Sequence, residues 1–423
     1  MSAGASIPNS APLPLPDAEN CVHCGFCLQA CPTYLELEDE NDSPRGRIVL
    51  MKSLATGEIP ADDADAQLHL DRCLGCRACE TACPSGVPYG QLLELTRERG
   101  ANTRALPLVV RAILFVFSRA PLLAIAMWKA RVLRATGIPA LLARLPGRIG
   151  FGMAMLASTR RPRAESSRGY GTGGDGSRGT VATLDGCVME GLFTEVNRAT
   201  ERTLAKNGYA LVRAEGQRCC GALHAHAGDS ATARELARAN IAAFERSGAG
   251  FVAVNSAGCG AAMKEYGHLL AADDAWSARA RAFGAKVRDI SELLAAAGPV
   301  AGGMLLLKVA YDAPCHLVHG QRISAQPLAV LSAIPGLERV PLTDSEQCCG
   351  SAGIYNLVEP DISDRVLATK LANIAASGAP VVATGNPGCL MQIGAGLLRS
   401  GSVAQSRHPV ELLDRSYARG AGR

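Results

Sequence analysis

CVHCGFCLQACP, residues 21–32, spaces its cysteines as C-x2-C-x2-C-x3-C and closes on a proline. At that spacing one loop offers three thiolates to a single iron–sulfur cube. The pattern returns as CLGCRACETACP, residues 73–84. Two copies supply the ligands of two [4Fe–4S] clusters, and in paired arrangements of this kind the fourth cysteine ligates the other cluster. The spacing therefore predicts one cluster on Cys21, Cys24, Cys27 and Cys83, and a second on Cys73, Cys76, Cys79 and Cys31. Gly25 and Gly75 supply the backbone freedom that such tight loops need. Structural zinc takes two separated CxxC pairs per ion, and disulfide frameworks suit small secreted chains; neither is this pattern.

Working outward, the first residues, MSAGASIPNSAPLPLPDAEN, lack a charged and then apolar leader, so 1–16 reads as a flexible tail. Reduced thiols ligating iron point to the cytoplasm. The two motifs stand far apart, with helical patterning between and after them. This predicts an α-helical ferredoxin domain over 17–100, in place of a small ββα-repeated ferredoxin. Asp42 or Ser43 can cap a helix that starts at Pro44. Arg45 and Arg47 read as solvated residues of that helix; the other reading sets them beside a cluster, whose potential they would raise.

The net charge of +4 over 423 residues is too small to imply nucleic acid. Its distribution is uneven, because Ala101 to Ala164 holds ten Arg and Lys129 and no acidic residue. Within this basic helical segment, 101–158, no uncharged apolar run reaches the ~18–20 residues of a membrane span. Apolar residues with a purely basic polar face suit helices lying on an anionic membrane surface. They equally suit helices that pack on the protein's own domains and show Arg to water or to an acidic partner. Residues 159–180 read as a flexible linker. Gly171, Gly173 and Gly176 within it spell G-x-G-x-x-G, but no strand precedes them and no helix follows, so no nucleotide site is expected.

The rest of the chain is a tandem repeat, 181–300 and 301–423. Cys187, Cys219, Cys220 and Cys259 recur as Cys315, Cys348, Cys349 and Cys389, and each adjacent pair is followed by glycine. Such regular recurrence marks duplication of one domain. Apolar runs such as VATLDGC, FVAVNSAGC and PVVATGNPGC end at cysteines and alternate with helical runs, which predicts α/β domains with parallel sheets. Ligand sites in open α/β sheets gather at the carboxyl ends of strands, so each copy should bring its four cysteines to one crevice. A further iron–sulfur or zinc centre, a thiol redox centre and packed cysteines are the readings that remain. His224, His226, His316 and His319 lie near these cysteines in sequence and read first as ordinary structural histidines, then as ligands, hydrogen-bond donors or proton carriers. No nucleophile with its base is visible, and no C-x-x-C-H motif for covalent haem.

The combination of CVHCGFCLQACPTY, DSPRGRI and LDRCLGCRACETACPSGVPYG with CCGAL, SAGCG, APCHL, CCGSAG and NPGC resembles the iron–sulfur subunit of bacterial glycolate oxidase. The resemblance covers nearly the whole chain outside the tail and linker. It implies an electron-transfer subunit with two [4Fe–4S] clusters and two cysteine-rich (CCG) domains. It also implies FAD-binding partner subunits that oxidise glycolate to glyoxylate, a membrane quinone as acceptor, and a place on the inner face of the cell membrane. Iron–sulfur subunits of lactate and anaerobic glycerol-3-phosphate dehydrogenases and heterodisulfide reductases share parts of the pattern. The fullest CCG pattern ends in C-x-x-C and can hold a non-cubane cluster. Here Ala262 and Gln392 stand at the fifth cysteine's position, leaving four possible ligands per copy.

Overall fold

A computed structural model describes residue 15, residues 17–103, 105–160 and 174–421. The proposed tail, apart from Leu15, and most of the linker, with Gly171 and Gly173, lie outside the described residues.

Residues 17–103 are helical throughout, with no strand among them. The helix Pro44–Thr56 begins as the sequence requires: Pro44 needs no N–H partner at its first position, and the Ser43 hydroxyl accepts from the Gly46 N–H at 3.0 Å. Gly46 is obligatory, since a Cβ there would stand 1.9 Å from the Glu40 carbonyl oxygen. The inner face of this helix, Ile48, Met51 and Leu54, packs on Leu70, Leu92 and Leu93. Such side chains, buried to this degree, each contribute roughly 1.5–3 kcal/mol.

Four helices follow, Leu108–Phe117, Ala120–Ala135, Ile138–Leu142 and Gly147–Ser158. The last buries Phe151 and Ala154 against the helix Pro387–Arg399 of the second repeat. Ala120–Ala135, by contrast, has no buried residue.

Each repeat is a four-stranded, fully parallel sheet between helices. The first joins β1 (Thr180–Thr183), β2 (Ala210–Val212), β3 (Phe251–Val254) and β4 (Val287–Asp289) in the order β2-β1-β3-β4. The second joins β5 (Leu307–Tyr311), β6 (Leu337–Val340), β7 (Val381–Ala383) and β8 (Gln405–Arg407) in the equivalent order β6-β5-β7-β8. The pairing is in register, with Val181 opposite Leu211 and Phe251, and Val309 opposite Arg339 and Val381. Asp229 caps the helix Ser230–Ser247, which stops at the left-handed Gly248; the equivalent Pro360–Ser377 stops at Gly378. The chain is therefore multidomain, with an α-helical ferredoxin-like region followed by two α/β cysteine-rich domains.

The two repeats share one core, in which Val181, Phe193 and Val196 meet Val309, Leu390 and Val410. Helices Thr194–Lys206 and Pro409–Ala421 close this seam. Across it the Arg202 guanidinium meets the buried Asp414 carboxylate at 2.7 Å, and Asn207 Nδ2 donates to the Tyr417 hydroxyl at 2.9 Å. Removing one partner of a buried pair strands the other charge. Arg202→Met is therefore expected to lower stability by about 3 kcal/mol in urea unfolding. A loss under about 1 kcal/mol would mean that the pair behaves as a solvent-screened surface bridge.

Candidate iron–sulfur centres and cysteine clusters

The two C-x2-C-x2-C loops turn through left-handed residues, His23 and Gly25 in the first, Gly75 and Arg77 in the second. This curls each loop around its own thiols. Cys21, Cys24, Cys27 and Cys83 line one cavity, and Cys31, Cys73, Cys76 and Cys79 line a second. The cavities adjoin, because Pro44, Cys79 and Tyr89 line both. In the first, Cys24 is exposed and burial pushes the Cys27 thiol up to about 11. In the second all four thiols are buried, and burial with neighbouring thiols raises Cys76 and Cys79 well above their ordinary value. Crowded thiols of this kind suit a soft, positively charged metal core that holds them as thiolates.

Arg47 corrects the reading of it as a solvated residue. It is 1% exposed, pairs with the fully buried Asp42 at 3.0 Å, and donates to Thr33 Oγ1 at 2.9 Å and the His69 carbonyl at 2.7 Å. A second N–H of its fork reaches Cys31 Sγ at 3.9 Å. Burial disfavours its charge, but Cys73, Tyr89, Cys31 and Asp42 more than offset that and hold it cationic. Arg45 is more exposed, pairs with Glu40 at 2.6 Å and lines the first cavity. Spacing along the helix does not separate these two arginines; the depth of the loop packed on each does.

In both repeats the cysteines follow the first three strands and form a chain of contacts. Cys187, Cys219, Cys220 and Cys259 are linked in that order by hydrogen bonds, with 3.8 Å between Cys187 Sγ and Cys219 Sγ. Cys315, Cys348, Cys349 and Cys389 repeat it, with 3.1 Å between Cys349 Sγ and Cys389 Sγ. The flanking thiols stabilise the thiolates of Cys219 and Cys348 and hold both well below the ordinary value, helped by the N–H of Gly221 and Gly350. Those glycines have φ of 83° and 84°, and a Cβ on Gly350 would lie 2.7 Å from the Ser363 carbonyl oxygen. The CCG signature is thus a left-handed turn pressed against a helix.

The two sets differ in their surroundings. Cys315 and Cys348 share a buried cluster with Cys76, Leu74 and Tyr355, so the second set adjoins the second cavity. Cys187 and Cys219 line a separate cavity with Leu123, Met127 and Arg131 of the basic helix. The histidines divide similarly. His224 Nε2 lies 3.1 Å from the Leu114 carbonyl oxygen, and His319 Nδ1 lies 2.9 Å from Thr81 Oγ1. His316 Nδ1 stands 3.5 Å from Cys315 Sγ, and burial lowers this imidazole to about 3. His226 sits 3.5 Å from Glu94 and stacks obliquely on His316 at 5.5 Å. Sequence reasoning missed Arg77, which ties the second motif to Glu80 and to Glu265 of the first repeat, although its position inside the motif marks it as close to the thiols.

A 4Fe-4S dicluster domain family matches residues 17–87, and a cysteine-rich domain family, CCG, matches 181–264 and 309–394. The probable glycolate oxidase iron-sulfur subunit of Bacillus subtilis is 38% identical over 93% of both chains. The glycolate oxidase iron-sulfur subunit of Escherichia coli is 33% identical over 94% of this chain and 93% of its own. This chain belongs to that family. Lactate utilization protein A of Exiguobacterium sp. is 30% identical, but over 55% of this chain. Membership makes the protein an iron–sulfur, electron-transferring subunit of an oxidoreductase, which implies other subunits.

A buried cation beside an iron–sulfur cluster stabilises its reduced form. Arg47→Lys keeps the charge but shortens the fork. It is expected to lower the midpoint potential of one cluster signal by roughly 60 mV, the one-electron equivalent of about 1.4 kcal/mol. A paramagnetic-resonance redox titration in which both potentials stay unchanged would remove Arg47 from that role.

Proposed function

We propose that the chain carries electrons from FAD-binding partner subunits, where glycolate becomes glyoxylate, towards a membrane quinone. On this reading Cys21, Cys24, Cys27 and Cys83 ligate one [4Fe–4S] cluster, and Cys73, Cys76, Cys79 and Cys31 ligate the other. The observation that carries it is the adjacency of two cysteine-lined cavities with walls in common, Cys79 among them. Clusters held there would supply one-electron transfer without moving a proton. Around the outer cavity Val22 and Phe26 are 69% and 67% exposed, which supports docking of an electron-donating partner on that face. The four thiols of the inner cavity are buried, and it adjoins Cys315 and Cys348. The four-cysteine sets of the repeats hold a further iron–sulfur or zinc centre.

Anaerobic iron, sulfide and zinc analysis tests this assignment. The reading expects about eight irons from the two cubes, and more metal where the repeats are loaded. Cys219→Ser with Cys348→Ser is expected to remove only the additional metal, and unchanged metal content would leave the repeats without a centre. Glycolate, but not lactate or glycerol 3-phosphate, is expected to reduce the clusters in the assembled complex; reduction by lactate alone would replace the substrate.

The same reading sets the basic helices on the inner face of the cell membrane. No single described helix is long and apolar enough to cross a bilayer. Leu108 and Ile149 are 79% and 71% exposed, and Ile125, Trp128 and Leu141 are exposed between them. Arg111 and Lys129 are exposed on the same helices and Arg144 in the turn after Leu142, and acidic residues are absent from the segment. Apolar side chains with a basic surround suit anionic lipid. Neutralising Arg111, Lys129 and Arg144 to Gln, at about 1 kcal/mol per charge, is expected to weaken binding to anionic vesicles roughly 150-fold with iron retained. Unaltered vesicle binding would count against the membrane contact.

A further inference from the structure

A third cavity, of about 140 Å³, lies where the N-terminal domain, the start of the basic helices and both repeats meet. Cys73 and Leu74 form one wall, Leu106 and Val110 another, and His226 and Glu359 enter from the two repeats. Arg97 anchors the wall by donating to the Cys73 carbonyl at 2.7 Å, the Leu70 carbonyl at 3.0 Å and the His226 carbonyl at 3.2 Å. Most of the lining is apolar; Gln67, Asp71, Arg97, Tyr355, His226 and Glu359 are its polar members, beside the Cys73 thiol. The volume suits one six-membered ring, since an apolar cavity of roughly 150 Å³ takes benzene. The chain that forms its rim runs directly into Leu108 and Val109, both exposed. An apolar ligand dissolved in a bilayer under those helices would meet the cavity first.

We propose that this cavity binds the ring of a membrane quinone, with its two oxygens towards His226 and Glu359. The inference rests on the electron-transfer reading above and adds the place and the contacts. A flat ring, apolar on both faces and polar only at two opposite oxygens, matches a mostly apolar lining into which the two repeats bring His226 and Glu359. Contact with Cys73 puts the ring against a residue of the inner four-cysteine cavity. Reduction of a quinone to a quinol adds two electrons and two protons. The electrons are those the subunit carries one at a time, and one proton goes to each ring oxygen, from solvent by way of His226 and Glu359. His226 lies 3.5 Å from Glu94, and burial raises the Glu359 carboxyl above its ordinary value.

The test is isothermal titration of the full, iron-loaded chain with ubiquinone-1, beside glycolate-driven reduction of the clusters in the complex. Wild-type protein is expected to bind one equivalent saturably. Val358→Trp and Ala227→Trp fill the cavity from opposite repeats, and each is expected to weaken binding at least tenfold with iron content unchanged. A variant that loses iron is set aside for the other, and photolabelling of wild-type protein with an azido-quinone gives an independent reading. Label on residues 105–110 or 352–359 supports the site, and label confined elsewhere overturns it. Absence of saturable binding, or equal affinity in both variants, also overturns it. Such results beside intact glycolate-driven reduction would fault the cavity alone, whereas failure of that reduction would fault the electron-transfer reading.

Discussion

Thiolates buried together repel one another, and water is not there to screen them. Where a cysteine among these groups is held as a thiolate, its surroundings must offset that charge. The backbone supplies part of that offset, through the N–H groups of Gly75, Gly221 and Gly350 directed at sulfur. Arg47 supplies more at Cys31, and is itself kept in place by Asp42. Soft-ligand sets of this kind suit metal, in keeping with membership of a family of iron–sulfur subunits.

The scaffold answers a different requirement. Parallel strands leave their carboxyl ends at one edge, so three cysteine-bearing loops of each repeat converge without any contact between them in sequence. Fusion of the two sheets through one core, closed by Arg202 with Asp414, makes the pair a single support for the N-terminal domain. Duplication gives the two repeats equal internal geometry and unequal neighbours. The second presents Cys315 and Cys348 to Cys76, while the first turns Cys187 and Cys219 towards the basic helices. Matching cysteine sets thus stand in unlike surroundings.

The basic helices leave several large apolar side chains exposed, Leu108, Ile125, Trp128 and Ile149 among them. One end is fastened: Gly147–Ser158 packs on the second repeat, and Arg134 donates to the Leu192 and Thr159 carbonyls. The middle is not covered, which leaves leucine, isoleucine and tryptophan side chains beside cations. That combination costs free energy in water and is favourable at an anionic interface.

Much of this was legible in the residues. The two C-x2-C-x2-C-x3-C-P runs, the recurrence of C…CCG…C, the parallel α/β repeats and the cap at Ser43 depend on spacing and on local backbone preference, which are properties of a linear chain. Arg47 was not legible, because Arg45 and Arg47 sit on one helix and only the loop carrying Cys31 and Thr33 decides which is buried. The same holds for the neighbour of Cys76, for the separate cavity at Cys187, and for the cavity between Leu106, His226 and Glu359. Each joins segments far apart in sequence, and the free energy that joins them comes from burying one surface against another. By itself the sequence determined which residues could hold metal and what each segment would form. The tertiary structure alone decided which thiols share a cavity, which arginine serves them and which repeat stands next to them, because distance and burial are set by packing.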